Sequence, residues 1–138
     1  MQLILNIRKT MTILLAISML LVVCSCTGKK DLTGKWQGKM TLPETGKSLN
    51  DLEFNLVQTG DQVGGAMIFT KVDAAKVKLT GTRTGDEVKF NSEYKRGMSM
   101  SFSGKLAGGS KIAGNAVLYY NDPKIPIKQD NVILELTR

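Results

Sequence analysis

From Leu32 to the end of the chain, apolar and polar residues alternate over long stretches, and this alternation constrains the fold more than any other feature. Successive side chains of a strand point to opposite faces, whereas an amphipathic helix repeats its apolar residues every three to four positions. The run from Met98 to Ser103 is the clearest case, because methionine and phenylalanine alternate there with serine. The pattern therefore predicts strands that each bury one face.

The alternation predicts eight strands, most of them joined by short turns that contain glycine. The predicted strands cover residues 32–40, 52–58, 63–70, 76–83, 87–95, 98–106, 111–120 and 131–138. Turns such as Thr59-Gly60-Asp61 suit tight hairpins, in which glycine adopts left-handed backbone positions. Two longer connections, at 41–51 and 121–130, could flank a cavity, although strand parity does not tell which end of the fold each occupies.

One apolar face per strand is what an antiparallel sheet needs when it closes into an up-and-down barrel, because closure also removes the exposed edges. Glycines that follow apolar residues, as in Phe102-Ser103-Gly104, are typical of bends and of close backbone approach in such sheets. A two-sheet β-sandwich would give the same alternation. We therefore predict an all-β, eight-stranded antiparallel barrel over residues 32–138, with the sandwich as the alternative.

The N-terminal segment differs in composition and predicts export. Arg8 and Lys9 precede thirteen uncharged, mostly apolar residues from Met11 to Val23, which is the order of regions in a secretory signal peptide. The apolar run is shorter than the ~20 residues that usually cross a membrane. We predict that residues 1–25 are a signal peptide, with an uncleaved membrane anchor as the alternative.

Both cysteines of the chain, Cys24 and Cys26, lie at the end of this apolar run. The sequence around them resembles a bacterial lipobox, in which a small residue precedes the acylated cysteine. Ser25 precedes Cys26, whereas the bulkier Val23 precedes Cys24. The resemblance implies an exported lipoprotein, anchored to a bacterial envelope membrane through lipid on Cys26, with residues 26–31 as a tether. Two or three acyl chains anchor firmly because each buried methylene contributes about 0.8 kcal/mol.

Composition excludes several kinds of site in the predicted barrel. The chain has no histidine and no cysteine beyond Cys26, which excludes thiolate zinc sites and cysteine nucleophiles from the barrel. Neither a phosphate-binding glycine loop nor an acid cluster with metal spacing is present, so we expect no enzyme, no cofactor and no metal. The net charge of +7 comes from dispersed basic residues without a nucleic-acid-binding motif, so we expect no nucleic-acid partner.

The ends of the predicted barrel carry a family resemblance. Leu32-Thr33-Gly34-Lys35-Trp36 opens the first strand, and the last strand ends in Arg138. This Gly-x-Trp and the terminal arginine resemble the lipocalins and the wider calycin group, which also includes avidins and fatty-acid-binding proteins. The resemblance implies structural roles for Gly34, Trp36 and Arg138, with the arginine lying across the indole ring. We favour a lipocalin-like small lipoprotein and interpret the local match to avidins as coincidental, because their polar inward residues have no counterparts that we can place.

The predicted inward face is rich in methionine and aromatic residues, which suits a small apolar or amphipathic ligand. The candidate ligand-binding residues are Met67, Phe69, Arg83, Phe90, Met98, Met100 and Phe102. Among them, the Arg83 guanidinium is the expected partner of a carboxylate head group. Further polar residues with inward parity near strand ends are Gln58, Ser92 and Tyr120.

An alternative is a barrel filled by its own side chains, which eight strands permit. The chain would then be a protein-interaction module of the envelope, such as an inhibitor or an assembly subunit. Its partner would meet outward apolar residues, of which the candidates are Val57, Ile68, Val117, Tyr119 and Ile133. A cavity lined by the methionines would favour the small ligand, and a filled barrel would favour the protein partner.

The lipid anchor is tested by labelling with radioactive palmitate in a bacterial host. We expect Cys26→Ala to abolish labelling, because it removes the acylated sulfur, and Cys24→Ala to leave labelling intact. Full labelling of Cys26→Ala combined with loss in Cys24→Ala would show that the other cysteine is modified.

Overall fold

The computed structural model describes residues 30–71, 75–121, 123–124 and 129–138. The predicted signal peptide and Cys26 lie outside the described residues, and of the predicted tether only Lys30 and Asp31 lie within them. In the part of the chain that the structure describes, no helix is long and apolar enough to span a membrane.

The described chain forms one closed antiparallel sheet of eight strands, in which each strand pairs with its neighbours in sequence and β1 also pairs with β8. The strands are β1 Gly34–Thr41, β2 Ser48–Thr59, β3 Gln62–Phe69, β4 Lys76–Thr84, β5 Glu87–Ser92, β6 Met98–Ala107, β7 Lys111–Tyr120 and β8 Gln129–Thr137. The closing pair sets Gly38 opposite Leu136 and Met40 opposite Leu134. The barrel prediction is therefore confirmed, and the sandwich alternative is wrong.

The predicted end of the fifth strand is wrong, and this affects the candidate functional site. The strand predicted to extend to residue 95 ends at Ser92. The chain then leaves the sheet, and Lys95 and Met98 bond to each other across a tight turn at Arg96-Gly97. Arg96 has a φ of 52°, in the left-handed region that non-glycine residues rarely adopt.

The inward faces of the strands form the core, as the alternation predicts. Phe90 and Phe102 stack with ring centroids 4.6 Å apart, and Phe54 lies 6.0 Å from Phe90. These three rings, which we call the aromatic floor, are at most 2% exposed. Aromatic pairs in this geometry contribute about 0.5–1.5 kcal/mol beyond the area that they bury. The floor fills the middle of the barrel.

Two glycines provide the space that the aromatic floor occupies. A Cβ atom on Gly38 would overlap the Phe54 ring, and one on Gly104 would overlap the Phe102 ring. Gly104 also lies directly opposite Gly114 on the neighbouring strand, where a Cβ on either residue would meet backbone atoms. The close backbone approach predicted for Gly104 is confirmed.

Strand direction alternates around the barrel, so the start of β1, the end of β4 and the end of β8 lie at the same end. We call this the packed end. Here the Arg138 guanidinium carbon lies 4.4 Å from the centroid of the Trp36 ring, as the calycin resemblance implies. The indole Nε1 donates to the carbonyl of Leu32 at 2.8 Å, and both Leu32 and Trp36 are fully buried.

The Arg138 guanidinium also binds three separate parts of the backbone. It donates to the carbonyls of Asp31, Thr33 and Gly109, at distances between 2.8 and 3.2 Å. Hydrogen bonds from the Thr33 side chain and backbone lower the pKa of Asp31, and the nearby Arg138 charge lowers it further. One side chain therefore joins the last strand, the turn before β7 and the segment that enters β1.

A second arginine is buried at the packed end. Arg83 is only 4% exposed, and its side chain donates to the carbonyl of Gly85 at 2.9 Å and to Gln58 Oε1 at 3.2 Å. The same Gln58 oxygen accepts the backbone N–H of Leu32 at 3.1 Å. Arg83 thus ties β4 and β2 to the segment that precedes β1.

Replacing Arg138 with alanine should lower the free energy of unfolding by about 2 kcal/mol, because a cation–π contact and several charge-assisted hydrogen bonds are lost. Urea-induced unfolding measures this change. Lys105→Ala is the matched control, since it removes one positive charge from an exposed position and should change stability by less than about 0.5 kcal/mol. An equal loss for both variants would contradict the role of Arg138.

Candidate functional site

The other end of the barrel, which we call the mouth, holds a cavity of about 470 Å³. The mouth is formed by the β1–β2, β3–β4, β5–β6 and β7–β8 connections. The cavity is lined by Met67, Phe69, Ala75, Val77, Ser92, Lys95, Arg96, Gly97, Met98, Tyr120, Asn121 and Pro123. Its wall is mostly apolar, and its volume is within the range of about 300–1,000 Å³ found for small-molecule sites.

A second cavity of about 290 Å³ lies beside the first. It is lined by Met40, Leu42, Lys47, Ser48, Leu49, Phe69, Met98, Leu118, Tyr120 and Val132. Three side chains, those of Phe69, Met98 and Tyr120, line both cavities and form the partition between them. Described residues of both longer connections line these cavities, which places those residues at the mouth.

The contrast between the mouth and the middle of the barrel follows from residue size. Bulky aromatic rings fill the floor, whereas small residues such as Ala75, Ser92 and Gly97 line the cavity. Along the inward face of β6, Met98 lines the cavity, Met100 lies one inward position deeper, and Phe102 belongs to the floor. Methionine is unbranched and flexible, so the wall at Met67 and Met98 can adjust to guests of different shape.

Ser92 and Tyr120 are polar side chains that line the cavity. Ser92 Oγ accepts the backbone N–H of Met100 at 2.8 Å and donates to the carbonyl of Glu93 at 3.1 Å. Burial raises the pKa of Tyr120, and the nearby Asp130 raises it further. Tyr120 therefore remains a neutral phenol with an O–H to donate at physiological pH.

The turn between β5 and β6 brings two cationic residues to the cavity. Lys95 Nζ donates to the backbone carbonyl of Lys76 and lies 4.0 Å from Glu93 Oε1. Arg96, next in the turn, is exposed and lines the cavity together with Gly97. Among the residues that the structure describes, none that lines this cavity is acidic.

Of the residues predicted to bind a ligand, the structure brings three together at this cavity: Met67, Phe69 and Met98. The side chains of Phe90, Met100 and Phe102 are at most 2% exposed. Phe90 and Phe102 belong to the aromatic floor, and Met100 lies beneath the cavity. Ser92 and Tyr120, predicted as polar contacts near strand ends, line the cavity. Some of the predicted ligand-binding residues therefore line the cavity, and others support it from beneath.

The placement of Arg83 corrects the sequence-based prediction. Its inward parity is right, but β4 runs from the mouth towards the packed end, and Arg83 lies near the end of that strand. Its guanidinium is held by Gln58 and the Gly85 carbonyl. Gln58, also predicted as a polar contact at a mouth, lies at the packed end as well. Neither residue can meet a head group bound in the mouth cavity.

Strand parity missed the lining residues in turns and loops, namely Lys95, Arg96, Asn121 and Pro123. A signal was nevertheless present. In an up-and-down barrel, alternate connections lie at the same end, so the β5–β6 turn and the β7–β8 connection must share the end reached by Met67 and Met98. In the described part of the chain, no group of three or more Asp, Glu, Cys or His residues could hold a metal ion.

Comparison with known proteins yields structural neighbours alone. No protein-family model matches the chain, and no curated protein matches it at a significant level. Among solved structures, EF1p2_mFAP2b bound to DFHBI is 14% identical, with 78% of this chain and 93% of that chain covered and a TM-score of 0.54. Apo shwanavidin is 16% identical, with 78% and 97% covered and a TM-score of 0.51. The rhizavidin–biotin complex is 15% identical, with 77% and 92% covered and a TM-score of 0.52.

Shwanavidin and rhizavidin are avidin-like barrels. At these identities the similarity concerns the fold. Together with the closed eight-stranded sheet, it shows that the chain has the same barrel fold as these proteins.

Proposed function

We propose that this protein is a lipid-anchored binding protein of a bacterial envelope, and that it holds a small, largely apolar molecule at the mouth of its barrel. The observation that carries the proposal is the apolar cavity of about 470 Å³. It opens among exposed residues of the β5–β6 and β7–β8 connections, and it is supported from beneath by buried methionine and the aromatic floor. A preformed, mostly apolar site gains free energy by accepting an apolar guest.

Two neighbours of the same fold support a binding role. In their solved structures, EF1p2_mFAP2b is bound to DFHBI and rhizavidin is in complex with biotin. The cavity of the present chain has a different character, since Met67, Phe69, Val77 and Met98 contribute much of its wall. We therefore propose an apolar or amphipathic guest, and a binding role rather than catalysis.

The proposed anchor is compatible with access to this cavity. Asp31, the last residue of the predicted tether, and Leu32, which follows it, are bonded into the packed end. A lipid on Cys26 would therefore be attached through a segment that enters the barrel opposite the mouth. The lipobox resemblance supports this anchor, and the palmitate experiment described above tests it.

The interaction-module alternative has weaker support. It predicts a filled barrel, whereas the mouth is hollow. Val57, Tyr119 and Ile133 are 55%, 44% and 40% exposed. However, Val57 lies on β2 towards the packed end and Tyr119 near the mouth end of β7, so these two residues do not belong to one compact patch.

Binding is tested with phenylnaphthylamine, a neutral apolar probe whose fluorescence rises in an apolar site. We expect saturable binding to the protein, and we expect Met98→Trp to weaken it by about tenfold, or ~1.4 kcal/mol. The added indole would occupy space at the partition between the two cavities. Fluorescence titration measures both affinities.

The matched control is Val57→Trp, which adds the same ring to the outer surface and should leave probe affinity unchanged. Circular dichroism verifies that both variants keep the β-sheet spectrum. Absence of saturable binding to the unaltered protein, or equal weakening by both substitutions, would contradict the proposed site.

A further inference from the structure

We propose that the mouth cavity selects anionic amphiphiles: a single alkyl chain lies in the two apolar cavities, and an acidic head group meets Lys95 and Arg96. The proposal rests on the proposed binding function and deepens it by naming the chemical class of the ligand. In this proposal Lys95 and Arg96 take the place of Arg83 as head-group contacts. Arg83 is bound at the packed end, away from the mouth.

The charge distribution at the cavity indicates the sign of the head group. Lys95 and Arg96 are adjacent in the β5–β6 turn, both line the cavity, and none of the described lining residues is acidic. Among the described acids near this region, Glu93 Oε1 lies 4.0 Å from Lys95 Nζ, and Asp130 acts on Tyr120. Cations at the opening of an apolar wall concentrate the field and attract an anion.

The backbone of the same turn holds Lys95 and Arg96 at a defined position beside the cavity. Arg96 is the non-glycine residue with a positive φ in the described part of the chain, and it stands before Gly97, whose φ is 79°. Positive φ at both central residues is the ordinary geometry of a two-residue type I′ hairpin turn. The mutual backbone bonds of Lys95 and Met98, at 2.9 and 3.1 Å, hold the turn in place. The guanidinium has five N–H donors, so it can bind a carboxylate and still keep contacts within the protein.

The shape of the apolar space suits a flexible chain better than a rigid ring system. The cavity of about 470 Å³ and the cavity of about 290 Å³ meet at Phe69, Met98 and Tyr120. The smaller one leads away from the cationic turn towards Leu118 and Val132. An alkyl chain with its head group at Arg96 can bend past Met98, whose side chain has three rotatable bonds. The neutral Tyr120 hydroxyl is a second donor close to this path.

The test compares three competitors that share one alkyl chain and differ in charge: dodecanoate, dodecanol and dodecyltrimethylammonium. Each displaces phenylnaphthylamine from the full-length protein, below its micelle concentration. We expect dodecanoate to bind about tenfold more tightly than dodecanol, which corresponds to a charge-assisted hydrogen bond of modest strength. Dodecyltrimethylammonium should bind more weakly than dodecanol because of repulsion by the turn.

Variants locate the head-group contact. In Arg96→Asn the preference for dodecanoate over dodecanol should fall to about threefold or less, and asparagine tolerates the positive φ at this position. Combining it with Lys95→Gln should abolish the preference. The control Lys105→Gln removes one positive charge near the packed end of β6 and should leave the preference unchanged.

The outcomes separate this proposal from the one on which it rests. Equal affinity for all three competitors, or a preference that Lys105→Gln reduces as much as Arg96→Asn, would overturn the head-group assignment while the binding cavity stands. Failure of the probe and of every competitor to bind would overturn the binding function itself. A preference for dodecanoate that disappears in the double variant would support the assignment.

Discussion

Closure of the sheet between β1 and β8 is the constraint on which the rest of this structure depends. A closed barrel has no exposed edge, but its first and last strands are far apart in sequence and must be brought into register. Arg138 holds this junction, because its guanidinium stacks on Trp36 and binds the carbonyls of Asp31, Thr33 and Gly109. The packed end therefore joins the beginning of the barrel sequence to its end.

A tightly packed end allows the other end to remain open. Arg138 and Arg83 satisfy backbone and side-chain oxygens at the packed end, and the aromatic floor fills the middle. The inward residues near the mouth then contribute less to holding the strands together. A preformed cavity at one end is the usual way in which a small barrel combines stability with binding.

Much of this architecture could be predicted from the sequence because alternation encodes which face of each strand is buried. Trp36, Phe54, Phe90 and Phe102 all lie on the inward face that parity assigns to them. However, parity does not show at which end of the barrel an inward residue lies. The prediction that Arg83 meets a head group at the mouth was wrong for this reason. Counting strand reversals from Trp36 would have placed it correctly.

Strand parity could not identify Lys95 and Arg96 as lining residues, because side chains in a turn do not alternate between two faces of a sheet. Even the end of β5 was misplaced, since alternation continues in sequence to Tyr94 although that residue is 58% exposed. The hydrogen bonds between Lys95 and Met98 close the chain into a tight turn there. Such features depend on local backbone geometry and on the neighbouring connections at the mouth.

The central claim is that the mouth holds a small apolar molecule between its methionines. Nuclear magnetic resonance of the protein with isotope-labelled methionine methyl groups tests it most directly, during titration with phenylnaphthylamine. We predict saturable shifts and direct magnetisation transfer between the probe and the methyl groups of Met67 and Met98, with smaller changes at Met100. Contacts from the probe to neither Met67 nor Met98, despite binding, would place the molecule elsewhere and contradict the account.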